Sequence, residues 1–119
     1  MQVNQLIVNV NSEQPDELAR FYRDVVQLPR EEGMGERSFM AGSSPFVIDG
    51  HSEVHGPAKE PPRVLLNLMV DDLAAEQSRL EGQGVTFIRT AGREYWGGVI
   101  STFLDPDGNY VQLIEYKPE

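Results

Sequence analysis

The hydrophobic positions of this chain change period in a fixed order, and that order occurs twice. In residues 3–10, Leu6, Val8 and Val10 alternate with Gln5, Ile7 and Asn9, the period-two pattern of a strand with one buried face. Asn11-Ser12-Glu13-Gln14 then supplies turn and cap chemistry ahead of Pro15, a residue favoured in the first turn of a helix. Leu18, Phe21, Tyr22, Val25 and Val26 recur at helical spacing, which predicts an amphipathic helix over residues 15–27, closed by Pro29. Short strands are expected at residues 37–41 and 45–49, joined by Gly42-Ser43-Ser44 as a hairpin turn. Residues 50–62 hold His51, His55, three prolines and two glycines with little apolar content, and read as a loop connecting two halves.

The second half repeats the first. Residues 64–70 form a strand pattern, and Asp71-Asp72 caps a helix carrying Leu73, Ala74, Ala75 and Leu80. Gly82 and Gly84 end that helix. Strands are predicted at residues 85–89, 97–104 and 110–116, with Asp105-Pro106-Asp107-Gly108 as the tight turn before the last. Each half therefore offers one sheet face and one helix, within a single domain whose modules cover about 1–56 and about 62–119.

Composition narrows the chemistry. At 119 residues, with 39% hydrophobic and 24% charged positions, the chain is an ordinary globular domain. The absence of cysteine excludes disulfide scaffolds, zinc ribbons, iron–sulfur sites and thiol nucleophiles. Ten Lys and Arg against nineteen Asp and Glu give a net charge of -9, dispersed rather than gathered in a tail. No basic stripe exists to hold a phosphate backbone, so a nucleic-acid partner is not expected. No apolar run approaches the roughly 20 residues of a membrane span, and the N-terminus lacks a basic-then-apolar leader. A cytoplasmic location and no membrane partner are the expectation.

Several segments together resemble the vicinal-oxygen-chelate superfamily of glyoxalase I, bleomycin-resistance proteins and extradiol dioxygenases. They are Arg20-Phe21-Tyr22-Arg23-Asp24-Val25-Val26-Gln27-Leu28, Val70-Asp71-Asp72-Leu73, Gly84-Val85-Thr86-Phe87, Trp96-Gly97, and Phe103-Leu104-Asp105-Pro106-Asp107-Gly108-Asn109-Tyr110-Val111-Gln112-Leu113. The resemblance covers nearly the whole chain and lies in the ordered set rather than in any one piece. It implies an α+β fold of two βαβββ modules forming a curled mixed sheet around a cavity, usually completed in a homodimer. In that arrangement Leu6, Val8 and Val10 pack on the helices while Gln5, Ile7 and Asn9 face the cavity. In the second module Leu66, Leu68 and Val70 pack inward, leaving Leu65, Asn67 and Met69 toward the ligand. Tyr110, Gln112 and Ile114 form the cavity face of the last strand.

Metal-holding members of the superfamily use His, Glu or Gln from the first and last strands of each module. Carried onto this chain, those positions fall on Gln5, near Asp49, on Leu65 and on Gln112. One carboxylate, two neutral amides and a hydrocarbon are at least two strong ligands short of a divalent site. No cofactor is expected; Gln5, Asp49 and Gln112 are the weak candidates should a metal bind. His51 and His55 stand four apart in a proline-rich loop, where the spacing does not align two imidazoles, and read as solvated. The Asp105, Asp107, Asn109 spacing has no closing Glu for a calcium loop. No serine lies in a Gly-x-Ser-x-Gly elbow, and Gly33-Met34-Gly35 lacks the lysine and third glycine of a phosphate loop.

What remains is binding. Phe39, Tyr95, Trp96, Tyr110, Asn9, Asn67 and Gln112 would give apolar walls with a few placed amides, suited to a neutral or weakly polar small molecule. Trp96 beside Gly97-Gly98 has the look of a cavity rim, because glycine lets the backbone approach closely. Arg93 and Glu94 could touch a ligand from the same loop. The expected function is capture of a small organic molecule without a catalytic metal; the alternative is a lyase, isomerase or dioxygenase of the same superfamily with atypical ligands.

Overall fold

The computed structural model describes residues 1–117, so the last two positions assigned to the second module lie outside the described residues. The chain divides into two compact units, Met1–Gly56 and Pro57–Glu119. The first holds β1 (Val8–Asn11), α1 (Pro15–Arg20), β2 (Ser38–Ala41) and β3 (Ser44–Asp49). The second holds β4 (Leu66–Met69), α2 (Leu73–Gly82), β5 (Phe87–Arg93), β6 (Gly98–Leu104) and β7 (Tyr110–Tyr116).

In the first unit β1 runs parallel to β3, and β2 runs antiparallel to β3, giving the order β1-β3-β2. The strand expected over residues 3–10 is shorter at its start, and Pro45 supplies the reason. The Ile48 amide donates to Arg37 O on the β2 side, so the amides of Val47 and Asp49 point toward β1. Pro45 occupies the next β1-facing position and has no N–H, so the parallel ladder stops at the Val8–Phe46 pair. Residues 1–7 lie before the ladder and are exposed, Leu6 among them, where the pattern predicted a buried side chain.

The helix expected over residues 15–27 has two geometries. Six α-helical residues pass into a π-helical segment, Phe21–Val26, whose end places the amides of both Gln27 and Leu28 on Tyr22 O. Leu18 and Tyr22 are its buried residues facing the sheet, with the Tyr22 ring 4.8 Å from that of Phe46. On its exposed side Asp24 is held below the usual carboxylate range by hydrogen bonds from the Arg23 guanidinium at 2.8 and 2.9 Å. A further strand before β2 is reduced to a single bridge, Arg30 to Phe39. It is flanked by the Glu31 amide on Ser38 O and the Met40 amide on Pro29 O. The first module is thus βαββ with a remnant of its extra strand.

The second unit has the order β4-β7-β6-β5, parallel between β4 and β7 and antiparallel elsewhere. β5 runs on to Arg93 through register shifts that a clean alternation does not signal. α2 lies on β5, β6 and β7. Its first turn is held twice: Asp72 Oδ1 accepts from the Ala75 amide at 3.0 Å, and the buried Glu115 Oε1 accepts from the Leu73 amide at 2.8 Å. Val111, Leu113 and Glu115 therefore face α2, together with Phe103, whose ring meets Phe87 at 5.3 Å. Before β7, Asp105 Oδ1 accepts from the amides of Asp107 and Asn109 and its Oδ2 from Asn109 Nδ2, all at 2.9 Å. That carboxylate shapes the turn the sequence predicted.

Gln27 has φ 68, a left-handed conformation without glycine. Replacing it should reverse the usual sign of a glycine substitution: Gln27→Gly is expected to raise unfolding stability by about 1 kcal/mol. Urea denaturation measures this, and a loss of stability would contradict the backbone assignment.

Candidate functional site

Strand alternation divides the second sheet into two faces, and the face turned away from α2 carries the chemistry. Register places Asn67, Gln112 and Thr102 side by side across β4, β7 and β6. Met69, Ile114 and Ile100 form the next row, and Tyr116 stands opposite Gly98 beyond it. Tyr110 and Leu104 lie on the other side of the polar row. Burial deepens toward the middle strands: Ile100, Thr102 and Ile114 are buried, Tyr110 and Gln112 are half-buried, and Asn67 and Met69 are exposed.

Within the polar row, Gln112 Nε2 donates to Thr102 Oγ1 at 3.0 Å. Gln112 Oε1 has no partner among the described residues, and the Thr102 hydroxyl, which can donate as well as accept, is able to pair with either end of this amide. The Asn67 side chain likewise has no partner among the described residues.

At the end of the apolar row the chain makes a tight turn. Glu94 N donates to Gly98 O at 2.7 Å and Gly97 N to Glu94 O at 3.0 Å, with Gly97 at φ 94. Arg89 Nη2 pairs with Glu94 Oε1 at 2.6 Å, and Arg93 Nη2 donates to Lys117 O at 2.9 Å. Arg93 and Glu94, which the sequence offered as ligand contacts, are thus spent on holding this turn. Its tip folds Trp96 back over its own strand. The six-membered ring of Trp96 fills the space in which Gly98 would carry a Cβ, and it stacks on Tyr116 with centroids 6.5 Å apart and planes 11° from parallel. Trp96 remains 41% exposed, and its neighbour Tyr95 is 98% exposed.

The structure thus brings together Asn67, Met69, Trp96, Tyr110 and Gln112 of the residues read from the sequence, on one face of one sheet. It separates others. Phe39 pairs with Phe46 on the helix-facing side of the first sheet and is 1% exposed, so it is core rather than cavity wall. Its apolar neighbours explain the correction: the β2–β3 register puts it on the face that meets Tyr22. Gln5 and Ile7 precede β1, and Leu65 precedes β4; all three are exposed, outside any ladder that would aim them. Asn9 lies on β1 with Nδ2 donating to Asp49 Oδ2 at 2.9 Å. Asp49 also lines a small cleft of about 240 Å³ with Met34, Gly35, Arg37 and Ser38. The sequence reading missed Ile100, Thr102, Leu104 and Tyr116 on this face, and gave Gly98 only as a rim neighbour of Trp96. Counting in twos from Gln112 reaches Tyr116, and the glycine two places after the only tryptophan marks the seat of its ring.

The donor set does not fit a divalent metal. The family positions supply Leu65, which has no lone pair, and Gln112, which offers one neutral amide oxygen, in the second unit. In the first unit the Asp49 carboxylate is bonded to Asn9. Among the described residues no three His, Cys, Asp or Glu side chains come together to hold an ion. His51 Nδ1 accepts from the Glu53 amide at 3.1 Å, and His55 Nδ1 stands 3.9 Å from Glu13 Oε1, both at the surface.

This fold, two mixed sheets each crossed by a helix, is shared with solved structures across almost the whole chain. TnmS3, an antibiotic binding protein from Streptomyces sp. CB03234, is 22% identical over 98% of each chain with a TM-score of 0.72. A glyoxalase/bleomycin resistance protein/dioxygenase family enzyme from Burkholderia phytofirmans PsJN is 21% identical over 92% of this chain and 95% of its own, with a TM-score of 0.73. TioX from Micromonospora sp. ML1 is 13% identical over 96% of this chain and 99% of its own, with a TM-score of 0.72. No curated protein sequence matches the chain. Residues 3–113 match the Glyoxalase/Bleomycin resistance protein/Dioxygenase superfamily, and the chain belongs to it. Among the described residues no helix is long and apolar enough to cross a membrane.

The seat of Trp96 is directly testable. Gly98→Ala places a methyl group inside the ring's position, so Trp96 should swing into solvent. We expect a red-shifted tryptophan emission and a stability loss of about 1–3 kcal/mol. An unchanged emission maximum would contradict the packing.

Proposed function

We propose that this chain captures a small organic molecule with a flat, largely apolar body on the α2-free face of its second sheet, and that capture needs no divalent metal. The observation that carries this reading is the exposed Trp96–Tyr116 stack beside the Ile100–Ile114 row, with an amide row two positions further on. Aromatic walls hold a flat neutral body through buried area, with stacking adding about 0.5–1.5 kcal/mol for each ring pair. A divalent ion asks for the opposite, charged or strongly donating groups that offset the water it gives up. The side chains gathered here are amides, a hydroxyl, aromatics and aliphatics, and Arg89, opposite Thr102 on β5, is already paired with Glu94.

The antibiotic-binding description of TnmS3 supports the same reading by analogy of fold. The net charge of -9 would further favour a cationic ligand over an anionic one. We read the working form as a homodimer, because the rim residues Leu65, Met69, Leu104 and Tyr116 leave large apolar side chains in water that a second copy could cover.

Metal-free bleomycin is a suitable first probe, with the lone tryptophan as reporter. Saturable quenching of Trp96 emission is expected, and Trp96→Ala should weaken binding, followed by calorimetry, by about tenfold. Melting curves with nickel, zinc, manganese or ferrous iron should move by no more than a degree or so. A shift of several degrees with one of them, without any response to the organic probe, would favour the enzymatic alternative. Sedimentation at micromolar concentration should give a dimer, and a monomer throughout would remove the second copy from the account.

A further inference from the structure

We infer that the Asp49–Gly50 bond is a site of spontaneous covalent modification, in which Asp49 converts to isoaspartate, and that the fold protects the chain's other Asp–Gly pair, Asp107–Gly108, from the same reaction. The inference goes beyond the capture reading and does not depend on it. It comes from the different surroundings the structure gives to two identical dipeptides.

The reaction needs only water as co-reactant. The Gly50 amide nitrogen attacks Asp49 Cγ and forms a C–N bond. A C–O bond of the carboxyl breaks, and that oxygen leaves as water with the amide proton and one proton from solvent. The product is a five-membered cyclic imide, and water then adds to one of its two carbonyls. Cleavage of the new C–N bond restores aspartate. Cleavage of the original one sends the main chain through Cβ and Cγ, one methylene longer, with mass and charge unchanged. Glycine permits the closure because it has no Cβ to crowd the ring. Access decides between the two pairs. Gly50 is exposed, and its amide has no partner among the described residues. Asp49 is the last residue of β3; its carbonyl accepts from the Ser12 amide at 2.8 Å, and its carboxylate from Asn9 at 2.9 Å on the exposed side. Turning Cγ onto Gly50 N gives up that strand-end bond and the exposed one, a local opening of the frayed kind. At the second pair the attacking nitrogen is itself committed, Gly108 N donating to Asp105 O at 2.9 Å. Asp107 is buried, its amide donates to Asp105 Oδ1 at 2.9 Å, and its carbonyl accepts from the Ala58 amide at 2.8 Å. Ring closure there requires the whole turn to open. At Asp49 the product takes the carbonyl that holds the Ser12 amide out of the main chain, and Ser12 is buried at the lead-in to α1, its Oγ accepting from the Gln14 amide.

The wild-type protein is held for several weeks at neutral pH and body temperature and then digested with trypsin. Isoaspartate is located by electron-transfer fragmentation, and its total is measured as methyl groups taken from S-adenosylmethionine through an isoaspartyl carboxyl methyltransferase. It should accumulate at residue 49 about tenfold in excess over residue 107. In urea the two residues should accumulate it to within about twofold, because the Asp–Gly bond is the same in both and the fold that separates them is gone. In Gly50→Ala the added Cβ stands 3.7 Å from Pro15 Cγ, an ordinary contact, so the variant keeps the fold. Its product at residue 49 should fall by about tenfold, since the methyl group crowds the closing ring. No product at residue 49, an excess at residue 107, a preference that survives urea, or a Gly50→Ala chain that converts as fast would each overturn the inference. The wild-type comparison stands without any variant having to fold.

Discussion

The hydrogen bond from the Leu73 amide to the buried Glu115 carboxylate sets the direction in which the last strand faces. A strand has only two faces, and a shift of one residue would exchange them. Glu115 is drawn to the helix side because the first turn of α2 has unsatisfied N–H groups there. Lys117 Nζ stands 3.1 Å from its other oxygen, so the buried carboxylate is compensated on both sides. With Glu115 fixed, Val111 and Leu113 must join the helix-facing core and Tyr110, Gln112, Ile114 and Tyr116 must face away. The candidate site is the reverse side of that packing decision.

Much of this was legible because period and turn chemistry agree with tertiary packing in most elements. β7 falls on the predicted residues 110–116, and Asp105 forms the turn read from Asp-Pro-Asp-Gly. The misses have local causes that hydrophobic periodicity does not encode. β1 is cut short by the missing N–H of a proline on a different strand, Pro45, whose partner cannot be known before the register is. β5 is lengthened through irregular register, which blurs alternation. Phe39 lies in the core rather than on a cavity wall because an aromatic in a short strand suits either face until Phe46 and Tyr22 fix it.

The candidate site was legible in part for the same reason. Asn67, Met69 and Gln112 sit on strands whose boundaries the pattern gives to within two residues, so their parity was readable. Gln5, Ile7 and Leu65 fall just outside the ladders, where parity has no meaning. Gly98 and Tyr116 carry no chemical signature of their own. They matter because a ring from two residues upstream needs a vacant Cβ position and a flat neighbour.

Replacing a carboxylate by an amide at the end of the last strand changes what the face can recognise. A carboxylate is acceptor-only and charged, and in a half-buried place it calls for a cation. An amide carries both a donor and an acceptor and needs no counter-charge. In this chain one end of that amide is tied to Thr102, which β6 and β7 place directly opposite Gln112. The strand position that the family resemblance assigns to a metal ligand thus carries, in this chain, a neutral group held by a neighbouring hydroxyl.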